Sequence, residues 1–181
     1  MSDLTELSRE ELQEKLLRVY SRWYDIDRCE ASEEPLFATA EFHEHQTGFA
    51  LVRKAEMWSA DRHEYTYFFS MPELTPEIFE ACMEKAKTLG LAKIDPESGH
   101  MCSYIAAVFL CDSADPEAVR ALKRYRCRKS FQFSLKGWME IHAAMMERGK
   151  DSIVANGDGR NTAKFLKNML QKKPGKKHKV I

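Results

Sequence analysis

The sequence lacks a hydrophobic run long enough to cross a membrane. Its longest apolar run, Tyr104–Cys111, has eight residues, whereas a spanning helix needs about 20. The amino terminus reads MSDLTELSREE, which is acidic and lacks the apolar core of a secretory signal. Both absences argue against a membrane protein or a secreted one, so we expect a cytoplasmic location.

Paired cysteine motifs are also missing. The five cysteines contain no CxxC pair, which excludes a zinc ribbon or a thioredoxin-type redox site. An odd number of cysteines without a signal peptide predicts reduced thiols. Cys82 and Cys111 fall on apolar stretches, and we expect both to pack in the core.

The 181 residues are 44% apolar and 31% charged, which is typical of a folded globular protein. This length suits one domain that buries enough surface to fold without a metal ion or a disulfide. We therefore predict a single domain over residues 1–171 and a basic, disordered tail over residues 172–181, with no cofactor and no bound metal.

A formal net charge of zero hides a strong asymmetry between the two halves of the chain. Residues 1–100 carry 11 basic and 21 acidic side chains, which gives a net charge of −10. Residues 101–181 carry 17 basic and 7 acidic side chains, which gives a net charge of +10. Such a split predicts a polyanionic partner, opposite faces that pair in a homodimer, or a plain solvated face. The candidates for binding nucleic acid or another polyanion are Arg120, Lys123, Arg124, Arg126, Arg128, Lys129, Lys172, Lys173, Lys176 and Lys177.

Capping signals and periodicity predict four helices. Ser8 and Glu11 form a capping box, and apolar residues at helical spacing continue to Tyr24. Proline at the first position and a capping residue before it mark two further helix starts. The predicted later helices are Pro76–Leu89, Asp115–Tyr125 and Thr162–Gln171.

Alternation and β-propensity predict the strands, and Asp25–Pro35 is expected to be a loop. The predicted strands are Leu36–Glu44, Phe49–Trp58 and Glu64–Met71, which form a meander with a turn at Asp61–Arg62, and then Ser103–Cys111, Lys129–Lys136 and Ser152–Ala155. Trp138–Arg148 fits either a helix or a strand, and Gly137 is expected to form a bulge. The predicted fold is α+β: one mostly antiparallel or mixed sheet flanked by helices on both faces, in the order α-β-β-β-α-β-α-β-β-α.

Three clusters hold residue types that could bind metals or act as catalysts. Glu41, His43 and His45 alternate along one strand near His63, but three ligands would spread over about 13 Å, so a polar strand face is the better interpretation. The loop at His100, Cys102 and Ser103 could hold a thiolate nucleophile, yet no third orienting group is evident. Residues 156–162 (NGDGRNT) could cradle an anion before a helix, although a plain turn explains them better.

Two stretches carry a family resemblance. His100–Ile105 (HMCSYI) and Arg128–Trp138 (RKSFQFSLKGW) are similar to motifs of a small family of uncharacterised bacterial proteins, over about residues 15–160. The resemblance implies extended structure for Trp138–Met146 and carries no activity or site residues. The α-β-β-β-α-β order also resembles that of restriction-endonuclease-like domains, but their E-x-K motif is missing.

The sequence thus predicts a non-catalytic binding or interaction protein that contacts nucleic acid or another polyanion through its basic half. Tyr125, Phe131 and Phe133 could stack on bases, although alternation favours core positions for the two phenylalanines. The alternatives are a metal- or phosphate-dependent, nuclease-like hydrolase and a homo-oligomeric structural protein.

Overall fold

The computed structural model describes residues 3–49, 56–95, 100–131 and 137–170. Within these residues the chain forms one mixed sheet of seven strands between two helical layers. The helices are α1 (Asp3–Glu6), α2 (Arg9–Tyr20), α3 (Pro76–Lys93), α4 (Pro116–Arg124) and α5 (Arg160–Leu170). The strands are β1 (Asp25–Arg28), β2 (Leu36–Phe49), β3 (Glu56–Leu74), β4 (His100–Ala114), β5 (Arg128–Ser130), β6 (Trp138–Glu147) and β7 (Ser152–Ala155).

The sheet combines an antiparallel half with a parallel centre. β1, β2 and β3 form an antiparallel meander. β3, β4 and β6 run parallel, with α3 and α4 in the two crossover connections. β5 and β7 both pair with the edge of β6 that faces away from β4, β5 near the start of β6 and β7 near its end. The strand order is therefore β1-β2-β3-β4-β6-β5, and β7 pairs only with β6.

Two hydrophobic cores lie on opposite faces of the sheet. On one face α3 and α4 pack against side chains such as Phe69 and Phe109, and on the other face α1, α2 and α5 pack against Phe68 and Val108. Since β4 is covered on both sides, its apolar run is continuous rather than alternating. Burial of each large side chain contributes about 1.5–3 kcal/mol.

The helices begin where the sequence signals them. Ser8 Oγ accepts a hydrogen bond from the Glu11 amide (3.1 Å), and the Glu11 carboxylate accepts one from the Ser8 amide (2.7 Å), which completes the predicted capping box. Thr75 caps α3 and Asp115 caps α4, each followed by proline at the first helical position. These contacts satisfy amide groups that would otherwise lack partners.

The predicted α+β class, the mixed sheet and the helices on both faces are confirmed. Trp138–Arg148, whose sequence fits either a helix or a strand, is extended as β6 up to Glu147. Gly137, before β6, has a φ of 77°, a conformation that favours glycine. The last helix begins two residues earlier than predicted, at Arg160.

Several predicted boundaries were wrong. The segment predicted as a loop, Asp25–Pro35, contains β1 and a short 3₁₀ turn. The two ends of the predicted strand Phe49–Trp58 belong to different strands, because Phe49 ends β2 while Trp58 belongs to β3, and residues 50–55 lie outside the described ranges. The predicted turn at Asp61–Arg62 lies inside β3. The two strands, of 14 and 19 residues, pair with each other, and their cross-strand hydrogen bonds satisfy the backbone N–H and C=O groups of these polar stretches. This pairing outweighs the local preference for a turn.

Parts of two predictions fall outside the described residues. β5 accounts for the start of the predicted strand Lys129–Lys136, but residues 132–136, with Phe133, lie outside the described ranges. The predicted tail over residues 172–181 and the end of the predicted last helix at Gln171 lie outside them as well. In the helices that the structure describes, no segment is long and apolar enough to span a membrane.

Candidate functional site

The basic segment Arg120–Lys129 runs from the last turns of α4 to the edge strand β5. All six of its predicted cationic side chains are exposed. Arg120 pairs with Glu117 at 3.2 Å, and Arg126 donates to the backbone oxygen of Tyr125 at 2.7 Å. The structure therefore presents this segment to solvent, as binding to a polyanion would require.

A row of side chains, of which the sequence singled out only Arg128, crosses four neighbouring strands. This aromatic row consists of Arg62 on β3, Tyr104 on β4, Trp138 on β6 and Arg128 on β5. The Arg62 guanidinium carbon lies 5.2 Å from the centre of the Tyr104 ring, and that of Arg128 lies 4.2 Å from the Trp138 ring. The two rings meet edge to face at 5.5 Å. Such cation–π contacts hold the guanidinium groups in place.

Strand register explains why these side chains meet. Cys102 pairs with Arg62 on one side and with Trp138 on the other, so the row crosses the sheet at nearly one level. Tyr104 points to the same face as Val108, which is the face that α2 and α5 cover farther along the strands. Tyr104 and Trp138 are half-buried and both arginines are exposed, so this end of the face remains accessible to a ligand.

A cleft of about 270 Å³ adjoins the aromatic row, between the end of α2, the start of α5 and the sheet. The His142 Nε2 atom lies 3.0 Å from the Glu140 carboxylate, and the His142 ring lies 4.9 Å from that of Tyr104. Three carboxylates, one guanidinium and three tyrosines are among its lining residues, which are Tyr20, Tyr24, Arg62, Glu64, Tyr104, Glu140, His142, Asp158, Asn161, Thr162 and Phe165. The cleft thus offers hydrogen-bond acceptors beside aromatic surface.

The tyrosines of the cleft keep their protons at neutral pH. Burial raises the pKa of Tyr104 to about 12. Burial and the nearby Glu64 carboxylate raise the pKa of Tyr24 above its ordinary range, and burial does the same for Tyr20. The phenol groups therefore remain neutral hydrogen-bond donors, whereas carboxylates supply acceptors.

The cluster predicted around Glu41 and His43 on β2 is only partly brought together in the structure. His43 lies directly opposite His63, with the two Nδ1 atoms 2.7 Å apart. Glu41 pairs with Lys93 and lies 3.6 Å from His43 Nε2, while His45 lies two residues farther along β2. Among the described side chains, no group of three or more histidines, cysteines or acids is arranged to hold a metal ion.

The other two predicted clusters have structural roles. Cys102 and Ser103 are buried, so a substrate could not reach them, and His100 only begins β4. In the turn at residues 156–162 the Gly159 amide donates to the side chain of buried Asn156 at 2.7 Å. That amide is therefore already engaged and does not face an anion.

The aromatic residues that the sequence suggested for base stacking are not the members of the aromatic row. Tyr125 is half-buried against Phe79, and Phe131 packs against the same core with Lys129 over its ring. Trp138 and Tyr104 were missed because their contact depends on strand register. The alternation of Trp138, Glu140 and His142 was the available signal, and it becomes informative only once β6 is known to be a strand.

Comparison with known proteins identifies the family but no activity. No curated protein and no solved structure gives a significant match to the chain. A family model described as Domain of unknown function (DUF8052) matches residues 8–168, which include the aromatic row, the cleft and the basic segment. The chain therefore belongs to the family Domain of unknown function (DUF8052).

Proposed function

We propose that the protein is a non-catalytic, cytoplasmic bacterial protein that binds single-stranded nucleic acid across the aromatic row. The observation that carries this proposal is the placement of two half-buried aromatic rings between two exposed guanidinium groups on one open sheet face. Proteins that bind single strands commonly combine aromatic stacking surfaces with a basic path for the backbone.

The row offers stacking surface for about two bases. Aromatic rings and guanidinium planes both stack on nucleobases, and each stacked base contributes about 1–3 kcal/mol. Arg62 and Arg128 flank the rings, so each can also meet a phosphate group. Because every base has a flat face, binding through the row requires little sequence preference.

The basic segment extends the row along the same edge of the sheet. Arg128 belongs to both, and Lys129 follows it on β5. We propose that phosphates follow this path from Arg128 towards α4, where the exposed cations are Arg120, Lys123 and Arg124. The tail lysines Lys172, Lys173, Lys176 and Lys177 would add non-specific electrostatic attraction.

The cleft would receive the base edges rather than the phosphates. Its carboxylates, Glu64, Glu140 and Asp158, repel phosphate but accept hydrogen bonds from amino groups such as the N4 amine of cytosine. Phosphates on the arginine side and bases on the carboxylate side give a bound strand one orientation.

Fluorescence anisotropy with short single-stranded DNA and RNA tests the proposal. With about four phosphate contacts, raising the salt from about 50 to about 200 mM should weaken binding about 50-fold. Trp138→Ala should weaken it about 5- to 150-fold at either salt concentration. The matched control is Trp23→Ala, since Trp23 is 59% exposed and outside the row. Equal affinity for Trp138→Ala and the unmodified chain would refute binding at the row, and a chain ending at Gln171 measures the tail separately.

A nuclease-like hydrolase is the second candidate. The Glu140–His142 pair borders the cleft, and a histidine held by a carboxylate can act as a general base or acid. Incubation of single-stranded substrates with and without added Mg²⁺ tests this candidate. Cleavage that persists in His142→Ala would exclude the pair as its source.

A homodimer is the third candidate for the function. The exposed carboxylates of Glu6, at the end of α1, and of Glu10, Glu11 and Glu14, on α2, complement the basic segment of a second copy. Sedimentation at low and high salt tests this pairing, because screening weakens contacts between exposed charges. A monomer under both conditions would exclude it.

A further inference from the structure

The imidazole rings of His43 and His63 face each other across the antiparallel pair β2–β3. The two residues are directly opposite in the register, and their Nδ1 atoms lie 2.7 Å apart. His43 is exposed and His63 half-buried, so solvent and dissolved ions reach the pair. This histidine pair lies on the α3 face of the sheet, opposite the face that carries the aromatic row, because its neighbour Tyr65 belongs to the core under α3.

The short distance between two identical nitrogens requires that one ring donates while the other accepts. The accepting Nδ1 atom carries a lone pair that points towards its neighbour. When the donating ring carries its proton on Nε2 instead of Nδ1, both Nδ1 atoms offer a lone pair on the side where the two rings meet. Two converging imidazole nitrogens are a bidentate ligand for transition metal ions.

We propose that His43 and His63 chelate a divalent transition metal ion of the nickel or copper class. Metal–imidazole bonds are about 2.0–2.1 Å long, so nitrogens at right angles around one ion lie roughly 2.8–3.0 Å apart, and tetrahedral ones about 3.4 Å. The spacing of 2.7 Å is therefore closest to right-angled coordination. Square-planar or tetragonal sites with such angles are typical of Cu²⁺ and Ni²⁺.

Neighbouring groups hold the imidazole rings of His43 and His63 in the orientation that a metal ion needs. The Glu41 carboxylate lies 3.6 Å from His43 Nε2, and Lys93 in turn holds Glu41. A carboxylate beside Nε2 favours the tautomer protonated there, which leaves Nδ1 of His43 as the ligating atom. The Tyr65 ring packs 5.9 Å from the His43 ring and stacks at 6.3 Å on that of His63, which restricts ring rotation.

The histidine pair alone supplies two ligands, and water completes the coordination. The proposal is independent of nucleic-acid binding, because none of these residues belongs to the row or to the basic segment.

Calorimetric titration of the full chain with Ni²⁺ at pH 8 tests the site. We expect one ion per chain, and at least about a tenfold loss of affinity in both His43→Ala and His63→Ala, since even outer-shell substitutions cost 10–100-fold. The matched control His142→Ala removes an imidazole on the other face and should bind nickel as the unmodified chain does. Affinity should also fall when the pH is lowered from 8 to 6, because protons compete for imidazole.

Two results would overturn the proposal. One is the absence of nickel binding at millimolar metal, and the other is an unchanged affinity in both His43→Ala and His63→Ala, which would assign the ion to other ligands. The melting temperature of each variant without nickel is measured first. Since both side chains reach solvent, we expect it to stay unchanged, and agreement between two independent variants separates loss of a ligand from loss of fold.

Discussion

Replacement of Asn156 by alanine tests how much one buried side chain stabilises the contacts between β6 and the elements next to it. The Asn156 side chain is 1% exposed and makes four hydrogen bonds to backbone groups. Its Nδ2 donates to the oxygens of Tyr125 (3.2 Å) and Ile141 (3.1 Å). Its Oδ1 accepts from the amides of Ala143 (3.0 Å) and Gly159 (2.7 Å). One buried amide therefore ties the end of α4, β6 and the turn before α5 together.

The magnitude follows from those four contacts. At about 0.5–1.5 kcal/mol each, their loss should lower the free energy of unfolding by roughly 2–6 kcal/mol, which is a large share of a typical domain's stability. Asn156→Asp keeps the acceptor but turns its second oxygen towards two carbonyl groups, so it should destabilise the protein as well. Asn168→Ala, on the exposed face of α5, is the matched control and should change stability by less than about 0.5 kcal/mol.

Urea unfolding followed by far-ultraviolet circular dichroism measures these differences. A lower midpoint with an unchanged slope would report a loss of stability alone. A loss below about 1 kcal/mol for Asn156→Ala would refute the inferred role of the four hydrogen bonds. A loss of equal size in Asn168→Ala would show that the effect does not depend on burial.

Three further predictions concern packing, titration and capping. Gly90→Ala places a methyl group 2.6 Å from the buried Ile105 side chain, and crowding of about 1–3 kcal/mol should exceed the gain in helix propensity of about 1 kcal/mol; a higher melting temperature would contradict this. Burial raises the pKa of Cys82 and of Cys111 to about 12. The folded protein then keeps protons that the unfolded chain releases near pH 8.5. The contribution of the two thiols to the free energy of unfolding should therefore be constant below that pH and fall between pH 9 and 12, by at most about 1.4 kcal/mol per thiol and pH unit. Equal urea midpoints at pH 7.5 and 10 would contradict this. Ser8→Ala removes one hydrogen bond of the capping box and should cost about 1 kcal/mol, which thermal unfolding detects; an unchanged melting temperature would mean that the cap does not stabilise α2.

Local sequence signals, namely capping residues and proline, predicted where three of the helices begin. Helix α2 begins at its capping box, and α3 and α4 begin at proline after a capping residue. The alternative that β6 is extended agreed with the structure, although Met, Ala and Glu favour a helix there, because pairing with β4 and β7 outweighs a weak propensity.

Long-range pairing was not predictable in the same way. The hairpin of β2 and β3 extends through polar residues such as Asp61 and Arg62, whose composition indicated a turn. Likewise, exposure of the basic segment could be predicted from composition, whereas the aromatic row could not. Tyr104 and Trp138 lie 34 positions apart in the sequence and meet only because β4 and β6 pair in parallel.

The most direct test of binding at the aromatic row uses the fluorescence of Trp138. The chain has three tryptophans, so a variant with Trp23→Phe and Trp58→Phe leaves Trp138 as the single tryptophan emitter. Titration with a short single-stranded oligonucleotide should quench this emission to saturation, in parallel with the anisotropy of a labelled strand, because a stacked base contacts the indole ring. A strand that binds while the Trp138 emission stays unchanged, or that does not bind at low salt, would contradict the proposed function.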